Sequence, residues 1–180
     1  MPTAIGIFVL LMVCAVLAPS GGQETASPVE DAPALYPDRP DSQDKDIEIA
    51  VGDTGDLNGW AVAVWFDEAA SSLGTFKNAE AGSRFVVFSV TVKRVGDESA
   101  NLSGQNMFLS EFRLVTPNGQ VLDPSLWSKE PELTPGTMVS GGEVKGYLTY
   151  EVPTKSGMHY LVFKPDMFSS SRLVWGIEIP

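Results

Sequence analysis

The sequence predicts an all-β protein: two antiparallel sheets packed as a sandwich, preceded by an export signal and a polar linker. Three observations carry this. Residues 83–95 form the longest run of β-branched and aromatic residues in the chain, the types that suit a pleated, packed surface. Short runs of alternating apolar residues recur at roughly ten-residue intervals with turn residues between them, the rhythm of a sandwich. No segment carries a helical period over three turns.

The chain has 180 residues, which suits one domain with extensions. Residues 1–22 read as a secretory signal peptide. Residues 4–18 are unbroken apolar sequence, shorter than the roughly 20 residues a spanning helix needs. Pro19, Ser20, Gly21 and Gly22 follow, small or helix-breaking residues that fit a cleavage site. No Lys or Arg precedes the run. The only cysteine, Cys14, lies within it and is the candidate lipidation site. Val13 before it and the apolar stretch Ala15–Ala18 after it do not match a lipobox followed by a polar tether, so simple cleavage is favoured. A chain cleaved after this run has no cysteine, as suits an oxidising compartment.

Residues 23–45 read as an acidic, Pro-rich disordered linker. Residues 23–48 hold eight acids and two bases, a net of −6 out of −11 for the whole chain. Pro28, Pro33, Pro37 and Pro40 recur among them. Such a segment buries too little apolar surface to offset its ordering entropy.

Residues 46–180 read as the folded domain. Ile47, Ile49 and Val51 alternate with Glu48 and Ala50, a first strand. Residues 52–59 are rich in Gly, Asp and Asn and read as a turn. Trp60, Val62, Val64 and Phe66 share one face of a second strand. Residues 67–77 read as a loop or edge segment anchored by Phe76. In the long run, Val86, Phe88, Val90 and Val92 share a wholly apolar face; the opposite face begins with Phe85 and Val87 and turns polar at Ser89, Thr91 and Lys93. That is the pattern of a central strand with its second face partly covered. Residues 99–106 read as a polar connection with Leu102 tucked in. Phe108, Ser110, Phe112 and Leu114 are expected on one face of a strand, and Asn118-Gly119 marks a hairpin to Val121 and Leu122. Residues 123–135 read as a Pro-rich loop carrying Trp127. Val144, Leu148, Tyr150 and Val152 mark the next strand, ended by Pro153; residues 160–163 and 173–177 complete the set.

Four stretches carry a family resemblance. They are Gly82 to Lys93; Phe112-Arg113-Leu114 through Asn118-Gly119-Gln120 to Asp123-Pro124; Leu133-Thr134-Pro135-Gly136 followed by Gly146 to Pro153; and Tyr160 to Pro165. Their order and spacing resemble a bacterial secreted Ig-like domain family of unknown function. Its members carry a signal or lipoprotein segment and a polar linker, and the layout is similar to that of the mycobacterial immunoprotective extracellular antigen. The resemblance implies an Ig-like sandwich and brings no catalytic residues. One departure is Arg94, where the family often has Asn.

The chemistry of the chain narrows its function. Its net charge of −11 disfavours nucleic acid and anionic lipid as partners. There is one histidine, His159, and no Gly-x-Ser-x-Gly elbow, so no hydrolytic triad or structural zinc site is expected and His159 reads as an edge or turn residue. Met158, His159 and Met167 suggest a soft copper site only if they converge. Asp53 to Gly59 lacks the alternating acids of a calcium loop. The acids Asp67-Glu68 and Asp97-Glu98 read as solvated surface. Trp65, facing away from Val62 and Val64, and Trp127, in its loop, are the candidate contacts, with His159 as a third. The expectation is a secreted or envelope-tethered, non-enzymatic module for protein interaction or a structural role, using its loops or a sheet edge. No cofactor is expected, and the partner is a protein or envelope component. The alternative is a binding protein for a small ligand, carbohydrate or metal.

Overall fold

The computed structural model describes residues 35–180, and the signal peptide, Cys14 and the first half of the linker lie outside them. Eleven strands follow in order: β1 (Asp46–Ile49), β2 (Thr54–Leu57), β3 (Trp60–Ala70), β4 (Ser83–Arg94), β5 (Ala100–Leu102), β6 (Phe112–Val115), β7 (Val121–Leu122), β8 (Gly136–Met138), β9 (Glu143–Pro153), β10 (Gly157–Phe163) and β11 (Arg172–Ile179). A five-stranded sheet runs β1-β11-β10-β6-β7, a four-stranded sheet β2-β3-β4-β9, and β5 pairs with β8 in a small ribbon. Every pairing is antiparallel except β1 with β11. The chain is an all-β, Ig-like sandwich, as its sequence predicts.

The long run is the centre of its sheet, with β3 on one side and β9 on the other. Val86, Phe88, Val90 and Val92 are fully buried. They meet Phe112, Leu114, Leu161, Phe163 and Trp175 from the opposite sheet in one core. Each fully buried side chain of this size contributes about 1.5–3 kcal/mol relative to exposure. The opposite face of β4 is covered locally. Lys129 N–H donates to Thr149 Oγ1 in β9 at 3.2 Å, and its ammonium reaches Asp67 and Glu68 of β3 at 2.6 and 2.8 Å. Val87 stands between Glu68 and Thr149 in register and is fully buried under this span.

Several elements differ from the sequence expectation. Thr54–Leu57, expected as a turn, is an edge strand paired with Trp60–Ala63, and it carries Leu57 into the core. Its Gly and Asp hide the alternation. β5 lies where a polar connection was expected and forms a ribbon with β8, just past the expected Pro-rich loop; Leu102 is buried there, as anticipated. The strand around Phe112 starts late. Asn106 Oδ1 accepts from Phe108 N and Leu109 N at 2.9 and 3.1 Å, closing a turn that leaves Phe108 outside. Phe76 is exposed and anchors nothing.

The largest difference lies in the expected linker. Residues 36–45 pack as a strap on the outer face of the five-stranded sheet. Tyr36 joins Val115, Tyr160, Val162 and Val174 in a second apolar cluster. Its ring lies on Gly176, where a Cβ would stand 2.3 Å from Tyr36 Cε1, and its hydroxyl donates to Ile49 O at 2.9 Å. Behind it Arg39 is buried with Asp41 at 3.0 Å, and it also pairs with Asp46 and Glu48. Arg172 holds Asp41 at 2.9 Å and Asp46 at 2.6 Å. Burial alone raises the Asp46 carboxyl, but the hydrogen bonds from Arg172 and from Gln43 N–H, with the charges of Arg172 and Arg39, outweigh it and hold it below the ordinary carboxylate value. Arg39 and Tyr36 thus give an acidic, Pro-rich segment the packing that its composition conceals.

Candidate functional site

Two loops meet at the end of the sandwich where β5 leads to β6 and β10 leads to β11. The first, residues 103–111, is clamped at both ends. Gln105 Nε2 donates to Ser125 O at 2.8 Å and Thr149 O at 3.3 Å, while its Oε1 accepts from Thr149 N at 3.0 Å. The Glu111 carboxylate accepts from Ser103 N at 2.9 and 3.0 Å and from Gly104 N at 3.3 Å. The second loop, residues 164–171, is tied to the first by Lys164 N–H donating to Glu111 O at 2.8 Å. Within it Phe168 N donates to Asp166 Oδ1 at 2.8 Å, and Lys164 Nζ donates to Met167 O at 3.0 Å.

These fixed backbones hold four large apolar side chains outward. Phe108 is 76% exposed, Leu109 69%, Met167 79% and Phe168 89%. Between the loops lies an open cleft of about 380 Å³, with Phe108, Leu109 and Met167 on its walls and Arg113 and Lys164 among its charged groups. Arg113 is committed to Asp123 at 2.7 Å and to the carbonyls of Ser110 and Phe112. The arrangement offers shape and apolar contact, with Lys164 as a cation lining the cleft.

The residues singled out from sequence do not gather at this end. Trp65 is 42% exposed on the outer face of the four-stranded sheet, and Trp127 is 44% exposed in its loop. The span from Lys129 to Asp67 puts the two segments on one side of the molecule. His159 is neither an edge nor a turn residue: it lies inside β10 and is buried. Its Nδ1 stands 2.9 Å from Gly157 O, which accepts its proton. Burial pushes the imidazole below its ordinary value, outweighing that hydrogen bond. A small cavity of about 100 Å³ beside it is lined by Asn118, Lys155 and Ser156 among others. Met167 lies beyond the opposite end of β10, so Met158, His159 and Met167 do not converge on a metal. Among the described residues no three His, Cys, Asp or Glu side chains are grouped to hold an ion.

Sequence reasoning missed Phe108, Leu109, Met167 and Phe168 as a group. A usable signal was present. Each pair of adjacent large apolar residues sits between turn formers, Gly104 and Asn106 before one, Pro165 and Asp166 before the other. Connecting loops run over the surface, so adjacent large apolar residues within one are a signal of outward display.

Comparison with known proteins gives the same fold. A family model described as a domain of unknown function, DUF4352, matches residues 49–173. The yjhA protein of Bacillus subtilis is 25% identical with a TM-score of 0.50, over 71% of this chain and 98% of that one. MPT63, a secreted protein of Mycobacterium tuberculosis, is 14% identical with a TM-score of 0.52, over 75% of this chain and 100% of that one. A putative lipoprotein of Bacillus subtilis, ycdA, is 16% identical with a TM-score of 0.52, over 69% of this chain and 38% of that one. No curated protein matches the chain.

Proposed function

Since the chain belongs to the DUF4352 family, described only as a domain of unknown function, its activity has to be argued from its own surface, and we propose a non-enzymatic module, secreted or held at the cell envelope, that docks a protein partner through its loop end. The observation that carries this is the outward display of Phe108, Leu109, Met167 and Phe168 by hydrogen-bonded loops. Contiguous exposed apolar side chains mark interaction sites, and a rigid loop loses little further entropy on binding. The outer edge of β9 is a poorer docking place. Gln105, Ser125 and residues 131–133 already bond to it. The apolar run at residues 4–18 supports export, and two fold neighbours are themselves described as a secreted protein and a putative lipoprotein. Among the described residues no helix is long and apolar enough to cross a membrane.

The test is site-specific photo-crosslinking in the cells that make the protein. A benzophenone residue at position 108 or 168 is expected to give one discrete protein adduct, and the same probe at Glu178, exposed on β11, is expected to give none. Equal adduct patterns at all three positions, or none at 108 and 168, would remove the loop end as the docking surface.

A further inference from the structure

The outer face of the four-stranded sheet carries a second surface, independent of the loop end. Val64 and Phe66, Phe88 and Val90, and Leu148 all point into the core, so Trp65, Ser89 and Tyr147 point out. Register places these three in one row across β3, β4 and β9. The row spans two strand spacings, about 10 Å between its ends. The next row holds Ala63, Thr91 and Lys145. An indole and a phenol thus flank a floor of Ser89, Thr91 and Ala63.

Both aromatic rings are positioned. The indole of Trp65 leans on Gly52, where a Cβ would stand 3.2 Å from Nε1; any larger residue would push it away, and φ of +92° also favours glycine there. Tyr147 carries the Lys129 ammonium 4.8 Å from its ring centre, and Asp67 and Glu68 hold that ammonium in place. The hydrogen bonds that Lys129 donates to Asp67 and then to Glu68 raise the lysine above its ordinary value, so it stays charged over the ring.

Charge around the rows is mixed in sign. Lys93, Lys129 and Lys145 stand among Asp56, Asp67, Glu68 and Glu143, so no surplus of cation remains. Lys145 lies 3.2 Å from Glu143, and Lys93 is opposite Glu143 in register. A patch with no surplus of lysine, on a chain of net charge −11, does not select an anionic ligand. An exposed indole face, a phenol and two hydroxyls match a ligand that presents C–H faces and hydroxyl groups together.

We propose that the Trp65–Ser89–Tyr147 row binds a neutral polysaccharide chain laid across the strands. Trp65 stacks on a sugar face, while Ser89, Thr91 and Tyr147 exchange hydrogen bonds with its hydroxyls. The row is about as long as a disaccharide, so a polymer fits better than a free monosaccharide.

Native gels cast with soluble neutral β-glucan, xylan or mannan, and with polygalacturonate as an acidic comparison, test this. The protein is expected to be retarded in at least one neutral gel. Trp65→Ala should weaken that binding about thirtyfold or more, the size of a hot-spot loss, and Trp65→Phe should restore part of it. Ser89→Arg, which fills the floor and leaves the indole intact, should also weaken it. Phe168→Ser should leave it unchanged, which separates this surface from the loop end. Free migration in all neutral gels, retardation only in polygalacturonate, or equal retardation of Trp65→Ala would each overturn the proposal.

Discussion

Replacing Arg39 with Ala tests whether the strap is part of the domain. The Arg39 side chain is fully buried, and Asp46 beside it is only 3% exposed. The substitution removes the guanidinium from between Asp41, Asp46 and Glu48. Arg172 keeps its hold on Asp46 at 2.6 and 2.7 Å and on Asp41 at 2.9 Å, so the carboxylates are not left bare. The loss should therefore fall at the low end for a broken buried pair, about 3 kcal/mol. In a domain of this size that lowers Tm by about 6–12 °C. Thermal unfolding gives the global effect, and amide exchange at residues 39, 42 and 46, whose N–H groups bond to Tyr36 O, Arg39 O and Gln43 O, reports the strap itself. Acid should mimic the substitution. A carboxyl held below its ordinary value of 3.8 stabilises the fold above that pH, and this contribution is lost as pH falls through the lowered value. A loss under about 1 kcal/mol, the worth of an exposed pair, with exchange at 39, 42 and 46 as fast as in a free peptide, would refute the packed strap.

Two further outcomes follow from the same geometry. Gly104→Ala should destabilise the domain by about 2 kcal/mol or more in urea unfolding, because φ is +55° and a Cβ would stand 2.1 Å from Leu133 O, a backbone atom that cannot yield cheaply; an unchanged midpoint would mean that the loop end moves freely. His159 sets a pH dependence. Its value lies below the ordinary 6.5 in the folded state, so the unfolded chain binds the extra proton and stability is complete above 6.5, then falls as pH drops toward the lowered value. Urea midpoints at pH 7.5 and 5.5 should differ in the wild type and differ less in His159→Gln; equal differences would assign the dependence to other groups.

What could be read from the sequence was what depends on local pattern. Val86, Phe88, Val90 and Val92 announce their shared face because alternation and burial have the same period. Asn118-Gly119 announces its hairpin because the turn is made by the two residues themselves, and Thr116 N indeed donates to Gln120 O at 2.9 Å. What could not be read depends on partners far along the chain. Arg39 looks solvated among its acids until Arg172, more than a hundred residues later, brings Asp41 and Asp46 into one cluster. Tyr36 looks like linker until Gly176 leaves a place for its ring. Trp65 was legible as an outward aromatic, but its row was not, since only strand order puts Tyr147 two strands away. Trp127 was likewise legible as exposed, while the span beside it from Lys129 to β3 was not.

Exposure alone does not distinguish a binding surface, and Phe76 shows why. It is as exposed as Phe168, and its loop is also closed by a hydrogen bond, Leu73 N to Lys77 O at 2.8 Å. Yet Phe76 stays outside the neighbouring cleft, which is lined mainly by polar and charged residues such as Glu68, Lys77 and Lys129, and single exposed apolar residues are ordinary. At the loop end four occur together on two loops that bond to each other through Lys164 and Glu111. Gln105 buries its amide to hold one of those loops on β9, although polar side chains of this kind are usually left in water. These buried hydrogen bonds, which hold the loop that carries Phe108 and Leu109 in solvent, support the proposed docking surface. The alternative, a loop that merely failed to bury them, needs none of those bonds.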